Sequence, residues 1–155
     1  MKIRTAKKTD LDTVRLITRT TINNIYPHYY PSGAVDFFLK HHNDENILQD
    51  ISLKRVYISY DTNNNAVGTV NVKENEITRL FVLPRYQGNG YGKELLDLAE
   101  SEIRETYDEA KIDASLSAKA MYIKHGYKET EYHIKDTENG DCLCYDIMVK
   151  QLTAT

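Results

Sequence analysis

The chain has 155 residues and a formal net charge of −3. Nucleic-acid-binding domains usually carry a basic excess, so this balance argues against a nucleic-acid partner. No apolar stretch is long enough to cross a bilayer and the first ten residues lack the apolar core of a signal peptide, so we expect a cytoplasmic protein with no membrane partner. Without repeats or linkers, the length predicts one domain over residues 1–155.

The N-terminal third predicts one short strand followed by helices. Leu11, Val14 and Ile17 recur at helical spacing. Pro27 and Pro31 prevent a continuous helix between them, because proline lacks an N–H and restricts the residue before it. The predicted elements are a strand over residues 1–6 and helices over 9–26, 33–42 and 45–51.

The rest of the chain predicts a three-stranded meander, then alternating helices and strands. Alternation of apolar and polar residues marks the strands, and an asparagine-rich turn and Asn75 separate them. After Pro84, an apolar stripe indicates a helix. The predicted elements are strands over 54–61, 66–74 and 76–83, a helix over 92–103, a strand over 110–114, a helix over 116–126 and a hairpin of 127–135 with 141–150.

This order of elements predicts the fold class. A strand–helix–strand crossover in the middle of the chain implies one parallel pair of strands, whereas the meander and the final hairpin are antiparallel. The sequence therefore predicts a mixed α/β fold with a mostly antiparallel sheet.

Three of the seven glycines fall within five residues, at Gly88, Gly90 and Gly92. They lie between a predicted strand and the first turn of a helix, where backbone N–H groups lack intrahelical partners and the helix dipole is positive. Residues without side chains let an anion approach those groups, so we interpret the segment as a cradle for a pyrophosphate. The spacing fits neither a Walker A loop nor a dinucleotide-binding fingerprint, which argues against a nucleotide-binding enzyme.

Two segments resemble the motifs of a known family. Val82-x4-Gln87-x-x-Gly90-x-Gly92 is similar to motif A of the GNAT superfamily of acyl-CoA N-acyltransferases. Residues 115–129 resemble the second motif of that superfamily, with four matching positions and one departure, Ser115, where asparagine is frequent. The four matching positions are Ala118, Tyr122, Gly126 and Tyr127.

The resemblance implies a GNAT-like fold with helices on both faces of the sheet. In that fold the fourth and fifth strands are parallel but splay apart, and the pantetheine arm of acetyl-CoA lies between them. The backbone of the fourth strand then pairs with pantetheine, and the glycine segment binds the pyrophosphate. The residues assigned to acetyl-CoA are Phe81, Val82, Leu83, Gln87, Gly88, Asn89, Gly90, Tyr91, Gly92 and Lys93.

The resemblance also assigns catalytic roles. Tyr122 matches the tyrosine that protonates the leaving thiolate, with side-chain packing as the alternative role. Glu76 stands where some members carry a general base, with a water chain or a solvated carboxylate as the alternatives. The N–H of Val82 or Leu83 is the expected donor to the oxyanion. The first two helices and their loop usually form the acceptor wall, which assigns Tyr26, His28, Tyr29 and Tyr30 to the acceptor or to packing.

The function implied is acetyl-CoA-dependent transfer of an acetyl group to a primary amine of a small molecule or peptide. The alternative is a non-catalytic acyl-CoA-binding or sensing module. We expect no metal, because Cys142 and Cys144 do not make a familiar zinc spacing and the adjacent pair His41-His42 cannot chelate from one helix face. A homodimer is common among such folds. The net negative charge slightly favours a cationic acceptor.

Overall fold

A computed structural model describes residues 2–152. Seven strands form one sheet in the order β1-β2-β3-β4-β5-β7-β6. The strands are β1 Lys2–Thr5, β2 Val56–Tyr60, β3 Ala66–Lys73, β4 Glu76–Val82, β5 Glu109–Ala114, β6 Lys128–Asp136 and β7 Cys142–Gln151. The helices are α1 Leu11–Ile25, α2 Ser32–His41, α3 Asp44–Ser52, α4 Tyr91–Arg104 and α5 Lys119–Lys124.

The element order agrees with the sequence prediction, and the differences lie at the ends of helices and strands. A single 3-10 turn, Tyr26–His28, follows α1 and contains Pro27. The helix α5 begins at Lys119, later than predicted, because Ser115 O first accepts hydrogen bonds from the backbone N–H groups of Ala118 and Lys119 in a turn. The side chain of Asn43 accepts a hydrogen bond from Asn46 N and caps α3.

The strands β4 and β5 are the parallel pair of the sheet, and they part almost at once. Glu76 pairs with Lys111 and Ile77 with Ile112, and within residues 2–152 no further pairing joins the two strands. The remaining five residues of β4 therefore border a gap about 16 Å long at the usual rise per strand residue. The predicted fold, a mixed sheet with a splayed parallel pair, is confirmed.

A β-bulge in β4 determines which side chains face which layer. The register between β3 and β4 shifts between Asn71 and Val72, which leaves Thr78 as the extra residue. Beyond the bulge, Arg79 and Phe81 point to the face covered by α1, α2 and α3. Val82 points to the face covered by α4. The bulge thus decides which residues of β4 face each of the two helical layers.

Each face of the sheet has its own apolar core. On one face, α4 buries its stripe, including Leu95 and Ile103, against β5 and β7. On the other face, α1 buries Ile17 and Ile22 beside Phe81 of β4. The helices on both faces confirm the predicted layering and hold β4 between two packed layers.

An ion pair with a buried carboxylate ties α4 to β7. Glu100 is 5% exposed, and both of its carboxylate oxygens lie 3.0 Å from Lys150 Nζ. The hydroxyl of Tyr127 donates a third hydrogen bond to Glu100, at 3.0 Å. Removing one partner of a buried pair leaves an uncompensated charge, which costs more than the pair itself contributes.

We expect Lys150→Met to lower the free energy of unfolding by about 2 kcal/mol, because it leaves the Glu100 carboxylate with Tyr127 alone. Chemical denaturation of both proteins measures this difference. The double variant Glu100→Gln/Lys150→Met should recover part of the loss, because it removes the stranded charge as well. Equal losses in the single and double variants would contradict the buried-charge argument.

Candidate active site

The glycine segment forms a loop that opens into α4. Gly88 and Gly90 have φ angles of 81° and 91°, the left-handed conformation that glycine adopts without strain. The first intrahelical hydrogen bond of α4 runs from Glu94 N to Gly90 O, at 3.1 Å. The N–H groups of residues 91–93 therefore precede the helical ladder and point out of its positive end. This geometry suits a bound anion.

Two side chains hold this loop in place. Gln87 Nε2 donates to Val82 O at 2.9 Å, and Asn89 Nδ2 donates to Tyr86 O at 3.0 Å. Gln87 therefore ties the loop to the end of β4 through its side chain. This contact gives the glutamine of the motif a physical role that its spacing in the sequence did not reveal.

A cleft of about 1270 Å³ runs along the gap between β4 and β5. The glycine loop and α5 border one end of it, and the helices α1, α2 and α3 border the other. The cleft brings together many residues singled out in the sequence: Tyr26, His28, Tyr29, Glu76, Phe81, Val82, Gln87, Gly88, Gly90, Gly92, Lys93 and Tyr122. Leu83, Asn89, Tyr91 and Tyr30 do not line it.

The backbone of β4 offers fewer free groups than expected. Leu83 N donates to Val67 O at 2.8 Å, so it is not available as an oxyanion donor. Val82 O already accepts from Gln87 Nε2 and, at 3.3 Å, from Thr21 Oγ1. Neighbouring residues of an antiparallel strand alternate their backbone groups between its two sides, so the Val82 N–H points away from β3, toward the gap. Of the two predicted donors, only Val82 is free for the role.

Tyr122 lies at the wall of the cleft on α5. It is 4% exposed, and its ring packs against Tyr127 with a centroid distance of 5.8 Å. Burial, with a smaller contribution from nearby Tyr26, raises the pKa of Tyr122 above the usual tyrosine value. The hydroxyl therefore carries its proton at neutral pH, the state that a general acid needs.

Glu76 lies where the paired part of β4 begins. Its carboxylate is 3.2 Å from Lys111 Nζ, and its side chain is 40% exposed. Asp113, which the sequence analysis did not select, follows on β5 and also lines the cleft. Partial loss of hydration, and then the negative charge of the Glu76 carboxylate, raise the pKa of Asp113 above the usual value. The cleft thus holds two carboxylates near the open end of the strand pair.

The aromatic residues after α1 divide into two groups. Tyr26 is buried and packs edge-on against Phe38, at 4.7 Å between ring centroids, while His28 and Tyr29 are exposed at the cleft rim. Tyr30 is buried away from the cleft: its hydroxyl accepts from Leu116 N at 2.8 Å and donates to Cys144 O at 3.2 Å. These two bonds commit Tyr30 to tying the α5 turn to β7, so we do not assign it to the acceptor site.

A buried arginine lies in the wall of the cleft. Arg79 is 4% exposed; its Nε donates to His42 Nδ1 at 3.3 Å and its Nη2 donates to Asp50 Oδ2 at 3.2 Å. Its Nη1 is buried without a hydrogen-bond partner among the described residues, and so is Oδ1 of Asn71, its cross-strand neighbour. Burial lowers the pKa of Arg79 and Asp50 opposes that shift, but a guanidinium stays protonated in proteins.

Sequence reasoning missed this polar cluster for a physical reason. His42 follows the last residue of α2, a position that does not by itself predict burial, yet it is buried and its ring meets Phe81 edge-on. The side to which Arg79 points depends on the bulge at Thr78, which alternation along β4 does not predict. Asp50 comes from a separate helix, and no spacing in the sequence connects it with either residue.

The cleft fits a CoA thioester in two respects. The open N–H groups before α4 match a pyrophosphate, and the unpaired edge of β4 matches an extended amide-bearing arm. A Cβ added at Gly92 would make only ordinary contacts, at 3.5 Å with Met121 and 3.8 Å with Val82, so the space beside it is narrow. Among residues 2–152, no cluster of side chains could hold a metal ion and no helix is long and apolar enough to span a membrane.

Comparison with known families identifies the class of protein. A sequence profile described as acetyltransferase (GNAT) domain matches residues 25–140. Because that match covers most of the chain, the protein belongs to the GNAT acetyltransferase family. No curated protein matches the chain.

Solved structures of similar fold agree with this assignment. A GCN5-related N-acetyltransferase from Rhodopseudomonas palustris has a TM-score of 0.85 at 22% identity, over 97% of this chain and 94% of that one. PaiA N-acetyltransferase from Thermoplasma acidophilum, in complex with coenzyme A, has a TM-score of 0.74 at 21% identity, over 97% and 98%. YncA from Salmonella typhimurium, with its cofactor acetyl-CoA, has a TM-score of 0.74 at 18% identity, over 100% and 95%. At these identities the likeness concerns the fold.

The buried imidazole makes a testable contribution to stability. Burial, and then the charges of Arg79 and His41, lower the pKa of His42 well below the usual histidine value. Below about pH 6.5 the unfolded chain binds a proton at His42 that the folded protein does not. The free energy of unfolding therefore decreases as the pH is lowered, by up to about 1.4 kcal/mol per pH unit. We expect His42→Asn, which keeps an acceptor for Arg79, to flatten the fall in the free energy of unfolding between about pH 7.5 and pH 5.5.

The exposed ring of His28 supplies the control for this measurement. His28→Asn should leave the pH dependence of unfolding as it is in the parent protein. An unchanged slope in His42→Asn would mean that His42 does not stay neutral in the fold.

Proposed function

We propose that the protein is an acetyl-CoA-dependent N-acetyltransferase that acetylates a primary amine of a small molecule or peptide. The observation that carries the proposal is the meeting of three features in one cleft: the open backbone of β4, the free N–H groups at the start of α4 and the protonated hydroxyl of Tyr122. The bound CoA and acetyl-CoA of PaiA and YncA support the choice of co-substrate. When bound, acetyl-CoA supplies an acetyl group activated as a thioester.

The chain provides the binding groups for the co-substrate mainly through its backbone. The N–H groups from Gly88 through Lys93 receive the pyrophosphate, where the helix dipole favours negative charge. The Gln87 N–H, which the sequence assigned to the same role, already donates to Pro84 O at 3.2 Å. Gln87 holds this loop against Val82 O, so the loop and the end of β4 keep one geometry. Phe81 contributes its ring to the acceptor side of the strand, in contact with Tyr26 and His42.

Side chains of the cleft account for each proton that moves during the acetyl transfer. Glu76 or Asp113, directly or through water, takes a proton from the acceptor ammonium, so that its nitrogen can form a bond to the acetyl carbon. The Val82 N–H donates to the carbonyl oxygen as it gains negative charge. As the carbon–sulfur bond breaks, Tyr122 gives its proton to the departing sulfur. The acetylated nitrogen then loses its second proton, through water, to the Tyr122 oxygen, which restores the hydroxyl. The products are an acetamide and a free thiol, and the carboxylate releases the first proton to solvent. The raised pKa of Tyr122 keeps it protonated until the carbon–sulfur bond breaks.

The runner-up is a non-catalytic acyl-CoA-binding module. Its supporting observation is that Tyr122 is fully packed against Tyr127, as a core tyrosine would be. Release of free thiol from acetyl-CoA in the presence of a panel of primary amines distinguishes the two. Amine-dependent release supports the enzyme; a rise in thermal stability with CoA but no release with any amine supports the binding module.

The variant Gly92→Asp tests the anion cradle without a risk to the fold. An acidic residue in the first turn of α4 favours the helix, by up to about 1 kcal/mol, but repels a phosphate at the same place. We expect its unfolding midpoint without ligand to equal or exceed that of the parent, and the rise in midpoint caused by CoA to shrink sharply. Gly92→Ala is the matched control and should keep most of the rise, because the added Cβ meets only ordinary contacts. A full CoA effect in Gly92→Asp would place the phosphates elsewhere.

The variant Tyr122→Phe tests the general acid. We expect turnover to fall about 100-fold, because the departing sulfur loses its proton donor, with little change in the CoA-dependent rise in unfolding midpoint. Thiol release and thermal unfolding measure the two quantities on the same sample. If turnover falls only in proportion to lost stability, Tyr122 serves packing and the acid must be another group.

A further inference from the structure

The strongest unexplained feature of the cleft is the positive charge of Arg79. The side chain is almost fully buried, and Asp50, the carboxylate that pairs with it among residues 2–152, is also approached by Arg55, at 3.8 Å. His42 accepts a hydrogen bond through Nδ1 and stays neutral, so it adds no negative charge. Counting Arg79, Arg55 and Asp50 leaves one net positive charge in this part of the cleft wall. Burying such a charge is costly unless something balances it.

The hydrogen bonds of Arg79 are also incomplete. Its Nη1 has no acceptor among the described residues, although a guanidinium at this depth usually satisfies each of its donors. The neighbouring Asn71 uses its amide nitrogen on Thr78 and leaves Oδ1 without a donor. A donor and an acceptor therefore remain open side by side, on the face of β4 where the acceptor amine must enter.

We propose that the amine acceptor carries a carboxylate and that Arg79 binds it. This inference rests on the proposed acetyltransferase function and specifies its substrate class as amino acids or similar amino carboxylates. The site lacks a negative charge and an acceptor for Nη1, and a carboxylate supplies both. Charge-assisted hydrogen bonds of this kind are strong where water is excluded. Because Nη1 is buried, the guanidinium turns toward the cleft on binding and loosens its contact with Asp50.

The rest of the wall is consistent with such an acceptor. Phe37, Phe38 and Phe81 give one side of the cleft an apolar surface that suits a hydrocarbon side chain or linker. Glu76 and Asp113 stand on the same cleft, where an ammonium group finds negative charge. The opposite ends of an amino carboxylate thus meet opposite charges, although the protein as a whole is acidic.

The test compares each acid with its own carboxamide. Glycine, L-alanine, L-methionine, L-phenylalanine and 4-aminobutanoate are assayed for thiol release beside their amides, and the ratio of kcat/KM is formed for each pair. We expect the best acid to exceed its amide by about tenfold or more. In Arg79→Gln/Asp50→Asn, which removes both charges of the pair together, the same ratio should fall by about that factor. An acid and its amide differ in the basicity of their amines, but that difference is the same for every protein, so it cancels when the ratio of one variant is divided by the ratio of another.

The single variant Asp50→Asn gives a change of opposite sign. It removes the carboxylate that competes for Arg79, so the acid-to-amide ratio should rise above that of the parent while Arg79 is retained. Far-UV circular dichroism and CoA-dependent thermal shifts establish that each variant is folded and binds CoA. A ratio that is the same in all three proteins overturns the proposal and leaves the acetyltransferase function standing.

Direct binding separates the inference from the function. Calorimetric titration of the best-binding acid and of its amide into the CoA-saturated protein needs no turnover. Arg79-dependent preference for the acid without any acetyl transfer would retain the carboxylate site and refute the transferase. If no acid in the panel is bound more tightly than its amide, the carboxylate site is refuted whatever the turnover.

Discussion

The parting of β4 from β5 is the constraint on which the rest of the cleft depends. In the part of the chain that the structure describes, two residue pairs join the strands, and the next five residues of β4 have no strand partner on that side. Unpaired backbone groups inside a sheet are costly unless a ligand, water or side chain completes them. The fold tolerates this gap because both faces of β4 are packed, by α4 on one side and α1 on the other. The helices thus hold open a hydrogen-bonding edge that a lone sheet would close.

Under the proposed function, the two ends of the cleft recognise their ligands by different chemical means. At the glycine loop, recognition uses N–H groups and a helix dipole, with side chains such as Gln87 serving to shape the backbone. At the other end, the groups are side chains from separate elements: Arg79 from β4, paired with Asp50 from α3, and Phe38 from α2. The first kind suits a constant co-substrate, and the second can differ between proteins that share the fold.

The difference between a backbone site at one end of the cleft and a side-chain site at the other explains how much of the protein its sequence predicts. The element order, the splayed pair and the glycine loop follow from periodicity and from one short motif, because local backbone chemistry determines them. The sequence left the oxyanion donor as Val82 or Leu83 and left Tyr30 to the acceptor site or to packing. In the fold the Leu83 N–H donates to Val67 O, and the Tyr30 hydroxyl bonds to Leu116 N and Cys144 O. The cluster of Arg79 with His42 and Asp50 has a sequence separation of 29 to 37 residues, and only tertiary packing assembles it.

The bulge at Thr78 has a consequence for the geometry of β4 as a whole. A regular strand has a period of two, so every second side chain would face the same layer from its first residue to its last. One extra residue resets that period part of the way along. Before the bulge, Glu76 pairs with Lys111 of β5. After the bulge, Arg79 and Phe81 point toward the helices that cover this face of the sheet. A single strand can in this way match one neighbour along its first part and another along its second. The alternation of its side chains changes at the residue where its pairing with β5 ends.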